Sequence, residues 1–383
     1  MLRNILISAG EASGDLYAAL LAEEMRRIWP EARLFGCTGP RMRRAGVETV
    51  VDAASLAVVG LVEVISHVPR IYGEYRKLQA AARSRRPELA ILTDSPDFHL
   101  RLARNLHRQG IPVVYLVAPQ VWAWRKGRLR GMRRRLRHVL CIFPFEEEFF
   151  RGHGLPATYI GHPLAGIVKP SLSRAEFFRK HRLPPGRPLI SVLPGSRRGE
   201  AARHLPPLLD AVGRIYRDQA ASFILPASAT AGAGFFQERI GGAPIQVIDG
   251  ENWDSIAHAD LALAASGTVT VEAALLGTPM VTFYKVTTAS WLVGRMLVRV
   301  PFYSMVNLIA GRAVVPELMQ SQLTGVRLAA EAQRLLRDDG ARDQMRADLA
   351  EVAARLSGPA RPMSRASAII QDLMEGQLAH VSQ

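Results

Sequence analysis

Short apolar runs alternate along this chain with longer segments whose apolar positions recur at helical spacing, a rhythm that predicts parallel sheets covered by helices on both faces. In the first half the pattern predicts strands at Asn4–Ala9, Arg33–Cys37, Leu89–Thr93, Pro112–Val117 and Val139–Phe143. Asp15–Trp29 reads as a helix, with Pro30 as its stop. Between Leu164 and Arg187, Pro170, Pro184 and Pro185 break both periodicities, with Pro188 at the edge, and mark a domain crossing. A second set follows, with strands at Leu189–Leu193, Ser222–Leu225, Ile245–Ile248, Leu261–Ala264 and Met280–Phe283. The final stretch, Leu328–Leu378, is helical in composition almost throughout.

The expected fold is therefore α/β, with two doubly wound, Rossmann-like domains. A chain of 383 residues exceeds the roughly 250–300 at which one core stops growing. The boundaries fall at 1–164 and 165–354, with the last helix, about 355–383, placed to pack back on the first domain. Each half opens with a strand running into a glycine-containing turn. Two such sheets facing each other would form a cleft at their carboxyl ends, where open α/β sheets bind ligands.

Composition narrows the class. A hydrophobic fraction of 48% excludes a disordered chain, and no apolar run approaches the roughly 18–20 residues of a spanning helix. The protein should be soluble or peripheral. The apolar stretch after Met1 reaches Gly10 and Glu11 too soon for a signal-peptide core, which predicts a cytoplasmic location. There Cys37 and Cys141, both in predicted strands, have no reason to pair. The net charge of +15 would draw the protein to polyanions, phosphorylated lipid and nucleic acid alike.

Four turns carry candidate chemistry. In Ser8–Asp15, Gly10, Ser13 and Gly14 would let a helix N-terminus approach a phosphate or sugar, although an ordinary strand-to-helix turn gives the same spacing. The Gly-Lys-Ser/Thr step of a P-loop is missing. Asp94 and Asp97 stand just beyond a buried strand, where partial desolvation raises a carboxylate toward useful basicity. The alternative is that Asp97 caps the next helix and Asp94 pairs with an arginine. Gly195, Ser196 and Arg197 form a third turn, in which an arginine and helix amides suit a diphosphate leaving group; Arg198 reads more readily as surface charge. In the fourth, Ser266, Gly267 and Thr268 offer amides and hydroxyls to phosphate, and Glu272, a helical turn on, suits ribose hydroxyls.

Two segments suit a membrane surface. The basic run Arg125–Arg137 directly follows Val121-Trp122-Ala123-Trp124, a pairing that also suits single-stranded nucleic acid or a solvated helix face. Ser290–Phe302 is apolar but interrupted by Arg295 and Arg299, so it would lie on a bilayer or pack on its own sheet. No histidine or cysteine spacing suggests a metal, and no cofactor is expected. His162, near the crossing, reads first as structural.

Taken in order, these segments resemble the lipid-A-disaccharide synthase family over nearly the whole chain. The likeness rests on Ser8–Asp15, Gly36–Met42, Val59–Val64, Asp94–Phe98, Val121–Arg125, Pro144–Glu146, Gly161–Pro163, Leu193–Glu200, Ser266–Glu272 and Asn307–Gly311. It implies an inverting GT-B glycosyltransferase that joins UDP-2,3-diacylglucosamine to 2,3-diacylglucosamine 1-phosphate and releases UDP, at the cytoplasmic face of the inner membrane. It further implies Asp94 as the base and Arg197 as essential, with Glu11, Ser13, Gly14 and Asp97 on the acceptor side. Gly195, Ser196, Arg197, Ser266, Gly267, Thr268, Glu272 and Asn307 would then serve UDP. The sequence departs from the family pattern at His99, usually asparagine, at Ala118-Pro119-Gln120, commonly Ser-Pro-Ser, and at Val306, usually proline. Acyl length and oligomeric state stay open, a homo-oligomer included. A UDP-sugar epimerase of the same architecture and a basic nucleic-acid-binding protein are the rival readings.

Overall fold

A strand that is apolar at every position must be covered on both faces. The computed structural model describes residues 3–56, 61–288, 291, 292, 294, 298, 300–358 and 361–376, of which 61–68 are described by backbone alone. In it β1 (Asn4–Ser8), β2 (Arg33–Thr38), β3 (Glu48–Asp52), β4 (Leu89–Thr93), β5 (Val113–Leu116), β6 (His138–Cys141) and β7 (Ala157–Tyr159) form one sheet. All its pairings are parallel, in the order β3-β2-β1-β4-β5-β6-β7. Every residue of β4, β5 and β6 is buried. Gly36 is needed where β2 crosses β1, since a Cβ there would lie 1.9 Å from the Ile7 carbonyl oxygen.

The second sheet is also parallel. It orders β8 (Leu189–Leu193), β9 (Ser222–Ala227), β10 (Ile245–Asp249), β11 (Leu261–Ala265), β12 (Met280–Tyr284) and β13 (Glu317–Met319) as β10-β9-β8-β11-β12-β13. β3, β7 and β13 have no counterpart among the strands expected from sequence. All three are edge strands, and an edge needs no continuous apolar run: only Val51 of Glu48–Asp52 is buried.

In both sheets the strand order reverses beside the first strand, between β1 and β4 and between β8 and β11. Ligands of open α/β sheets bind at the carboxyl ends of the strands at that point. All four candidate turns sit there.

The chain divides into two compact units, Met1–Gly166 with the chain from Leu356 onward, and Ile167–Arg355. The His162 amide donates to the Leu356 carbonyl at 2.7 Å, and the helix Pro362–Met374 packs on the helix Ala12–Ile28. The chain beyond 376, part of Val59–Val64 and much of Ser290–Phe302 lie outside the described residues. Cys37 and Cys141 are buried and unpaired, and burial pushes both thiols far above their ordinary range. Among the described residues no helix is long and apolar enough to cross a membrane.

Candidate active site

Asp94 leaves β4 in the left-handed region at φ +50°, and Ser95 follows at φ +36°. Two successive non-glycine residues there store strain, of order 1–3 kcal/mol each. The turn aims the Asp94 carboxylate at the start of the helix Ala12–Ile28. The amide of Gly10 donates to its Oδ1 at 2.8 Å and that of Glu11 to its Oδ2 at 3.0 Å. Gly14 makes room for it, because a Cβ there would stand 1.6 Å from Oδ2. Burial pushes the carboxyl up to about 7, against the pull of the two amides and the Ser95 side chain, and the Glu11 charge adds to the rise. The side chain remains 11% exposed.

The neighbouring groups fix the backbone beneath. Tyr115 Oη–H donates to the Asp94 carbonyl at 2.5 Å, and His99 Nδ1 meets the same oxygen at 3.0 Å. A carbonyl only accepts, so His99 carries its proton on Nδ1, and its Nε2 accepts from the Ser8 hydroxyl at 2.8 Å. Burial pushes the His99 pKa down to about 4, so the ring is neutral near pH 7.

Asp97 lies elsewhere in the interaction pattern. Its carboxylate takes Arg125 at 3.0 and 3.1 Å and also pairs with Arg128. The two carboxylates thus exchange the structural roles weighed from sequence: Asp94 receives helix amides, and Asp97 receives arginines. Asp15, in the first turn of the helix Ala12–Ile28, is buried and accepts the amides of Gly39, Arg41 and Met42, which ties Gly36–Met42 to this helix. Glu11 is exposed and Ser13 half-buried on the same turn.

The tryptophan and arginine run divides by face. Trp122 Nε1–H donates to buried Glu146 at 3.0 Å, and Arg125 stacks 4.2 Å above the Trp124 ring. In the helix Leu129–Arg135, Leu129 and Met132 are buried in the core, while Arg130, Arg133 and Arg134 are exposed. The Arg135 pKa is lowered, first by burial and then by Arg104, Arg134 and Arg108, which marks a concentrated positive field. Leu292, in the other membrane candidate, is 59% exposed, and the Trp291 ring lies 5.8 Å from that of Tyr303. His162 is buried and neutral, its pKa pushed down to about 3, and its Nδ1 accepts the Leu164 amide at 3.2 Å.

In the second unit, Gly195 adopts φ +113°, and a Cβ on it would stand 2.6 Å from Glu200 Oε2. Ser196 and Arg197 are exposed at the start of the helix Arg198–Asp218, which no side chain caps. Arg198 donates to the Ala231 carbonyl at 3.1 Å and lies over Phe235, a structural engagement. His204 Nδ1–H donates to the Pro194 carbonyl at 2.8 Å, and its Nε2 accepts the Lys285 amide at 2.9 Å. Each unit therefore supports a strand-to-helix turn on a buried neutral histidine, His99 beneath Asp94 and His204 beneath Pro194.

Beside this turn, Ser266, Gly267 and Thr268 open the helix Thr268–Leu275, again without a side-chain cap. Gly267 has φ 166°, which any residue adopts, and a Cβ on it would meet nothing within 4 Å. Glu272 has its pKa pushed to about 7 by burial, opposed by a hydrogen bond from Trp253. The Ser266 hydroxyl donates to the Tyr303 carbonyl at 3.0 Å, and the Tyr303 and Ser304 amides donate to Glu317 at 3.0 and 2.8 Å.

Asn307 completes this network. Its Nδ2 donates to the Val315 carbonyl at 2.9 Å and to Glu317 at 2.8 Å, while its Oδ1 accepts the amides of Val314 and Val315 at 2.7 and 2.9 Å. Both donors and both lone pairs are used. In this arrangement the Asn307 side chain holds the turn, whereas the sequence expectation was a direct contact with UDP. Sequence reasoning passed over Tyr115, His204 and Glu317. A tyrosine on a buried strand reads as core, and only its tertiary partner distinguishes it.

The family described as lipid-A-disaccharide synthetase matches residues 5–369. The chain is 71% identical to the lipid-A-disaccharide synthase of Solibacter usitatus (strain Ellin6076) over 378 residues, 99% of each chain. It is 45% identical to that of Koribacter versatilis (strain Ellin345) over 356 residues, 92% of this chain and 93% of the other. Solved structures of similar fold include a putative UDP-N-acetylglucosamine 2-epimerase from Listeria monocytogenes, with a TM-score of 0.66 at 14% identity over 98% of each chain. Another is the calicheamicin glycosyltransferase CalG4, with a TM-score of 0.61 at 15% identity over the whole of both chains. Those two likenesses concern the GT-B architecture.

Proposed function

The chain belongs to the lipid-A-disaccharide synthase family, and from that premise we propose how its turns divide the transfer of 2,3-diacylglucosamine from UDP-2,3-diacylglucosamine to 2,3-diacylglucosamine 1-phosphate. Asp94 takes the proton of the acceptor's primary hydroxyl as that oxygen bonds to the donor's anomeric carbon. The bond from that carbon to UDP breaks on the opposite face, which inverts the centre. The observation that carries this reading is a buried carboxylate at the β1/β4 reversal, raised to about 7 and still 11% exposed. A base works best with a pKa near the operating pH.

The leaving diphosphate belongs to the second unit. Arg197 and the uncapped helix starts at Arg198 and Thr268 stabilise charge as it grows on UDP. Ser196 and Ser266 line the same two turns, and Glu272 accepts from ribose hydroxyls. Gly195 shapes the arginine turn, and Asn307 acts by holding the turn that Ser266 contacts. Glu11, Ser13, Gly14 and Asp97 lie on the acceptor side, Gly14 by clearing space and Asp97 by fixing Arg125 and Arg128.

Both substrates are acylated, so the enzyme works at the cytoplasmic surface of the inner membrane, and the exposed arginines of Leu129–Arg135 meet the anionic headgroups. The epimerase likeness, at 14% identity, speaks to fold. Incubating the purified protein with both acylated sugars tests the reading by mass spectrometry. Disaccharide phosphate and UDP should appear only when donor and acceptor are both present. A sugar altered at C2 in the absence of acceptor would replace this reading with an epimerase.

A further inference from the structure

We propose that Tyr115 and His99 are positioning residues for the base, a pair of donors that clamp the Asp94 carbonyl and so preset its carboxylate. The inference rests on the reading of Asp94 as the base. Asp94 and Ser95 both hold left-handed backbone that non-glycine residues rarely adopt, at φ +50° and +36°. Something must select that conformation, and the Asp94 carbonyl shows what does. Its two lone pairs receive Tyr115 Oη–H at 2.5 Å and His99 Nδ1–H at 3.0 Å. Tyr115 and His99 are both 0% exposed, so water cannot substitute for either donor.

The clamp spans three strands. Ser8 ends β1 and donates to His99 Nε2 at 2.8 Å, which fixes the ring's tautomer; Asp94 follows β4; Tyr115 belongs to β5. The backbone is thereby held from below while the carboxylate is held from the side by the Gly10 and Glu11 amides. Packing alone would not require the tyrosine hydroxyl, because phenylalanine fills the same space. A donor aimed at the carbonyl is what the position adds.

Steady-state kinetics on Tyr115→Phe, His99→Asn and His99→Leu, with Asp94→Asn alongside, test the clamp. Loss of the Tyr115 hydroxyl should lower kcat about tenfold while KM for each substrate stays within about twofold. His99→Asn keeps an amide donor and should retain most of kcat, whereas His99→Leu should lose it. If Tyr115→Phe and His99→Leu turn over like the wild type while Asp94→Asn is inactive, the clamp is wrong and the base reading stands. If Asp94→Asn itself keeps full turnover, the base reading fails first and the clamp with it. Should Tyr115→Phe not fold, the His99 pair decides: retention in Asn with loss in Leu supports the clamp, and equal kcat in the two overturns it.

Discussion

Asp94 carries a charge that its surroundings disfavour, and this has consequences for activity and for stability. With the carboxyl near 7, kcat/KM should rise through neutral pH as Asp94 loses its proton and then level off, an acid limb with an apparent pKa of about 7. A limb centred near 4 would contradict it. The stability consequence has the opposite slope. Between the ordinary carboxylate range and 7 the folded state binds more protons than the unfolded one, so stability falls as pH rises through that window. Asn at 94 removes this term, and thermal melts from pH 4.5 to 8 should show the Asp94→Asn protein gaining on the wild type as pH rises, by on the order of a few kcal/mol. A constant difference would mean that the group titrates as an ordinary carboxylate. At this scale the sequence marked Asp94 and Asp97 as candidates, since both follow an unbroken apolar strand. Their partners were not legible: the Gly10 and Glu11 amides lie more than 80 residues away in the chain, and only the β1–β4 pairing brings them to Asp94.

Turns joining strand to helix are the elements on which this chemistry hangs, and two of their glycines are informative for opposite reasons. Gly14 is enclosed by Asp94 itself, so Gly14→Ala must displace the carboxylate; activity should fall more than about tenfold, and the variant should lose about 1–3 kcal/mol of stability. Gly267 is unconstrained by the protein. Gly267→Ala should melt within about 1 °C of the wild type yet bind UDP at least about tenfold more weakly by calorimetry, because a methyl group there stands between ligand and backbone. Unchanged UDP affinity would move the diphosphate away from this turn. Of the strands that were legible, β4, β5, β8 and β11 are buried throughout, and the edge strand β10 was legible through Ile245, Val247 and Ile248. β3, β7 and β13 were not, because an edge strand of three to five residues has one open side and tolerates Glu48, Thr49 and Asp52 or Glu317. Asn307 shows the same limit at a site: its motif points to importance, but only the Val314 and Val315 amides, the Val315 carbonyl and the Glu317 carboxylate show that it holds a turn.

For the whole molecule the net charge of +15 has a local expression on the helix Leu129–Arg135, whose apolar face enters the core and leaves its arginines outward. Replacing Arg130, Arg133 and Arg134 with glutamine should weaken binding to vesicles containing anionic phospholipid by about 3 kcal/mol, at roughly 1 kcal/mol for each charge, and wild-type binding should fall with added salt. Equal co-sedimentation of the triple variant and the wild type would place the membrane contact on another surface. The proposed division, one unit for the proton and one for the departing UDP, assigns each role to the turns at the strand-order reversal of one sheet. That division is tested most directly by one pair of readings on a folded Asp94→Asn enzyme: turnover at saturating donor and acceptor, and UDP affinity. The account predicts turnover reduced by at least about a hundredfold with UDP affinity unchanged; full turnover, or loss of UDP binding in step with turnover, would contradict it.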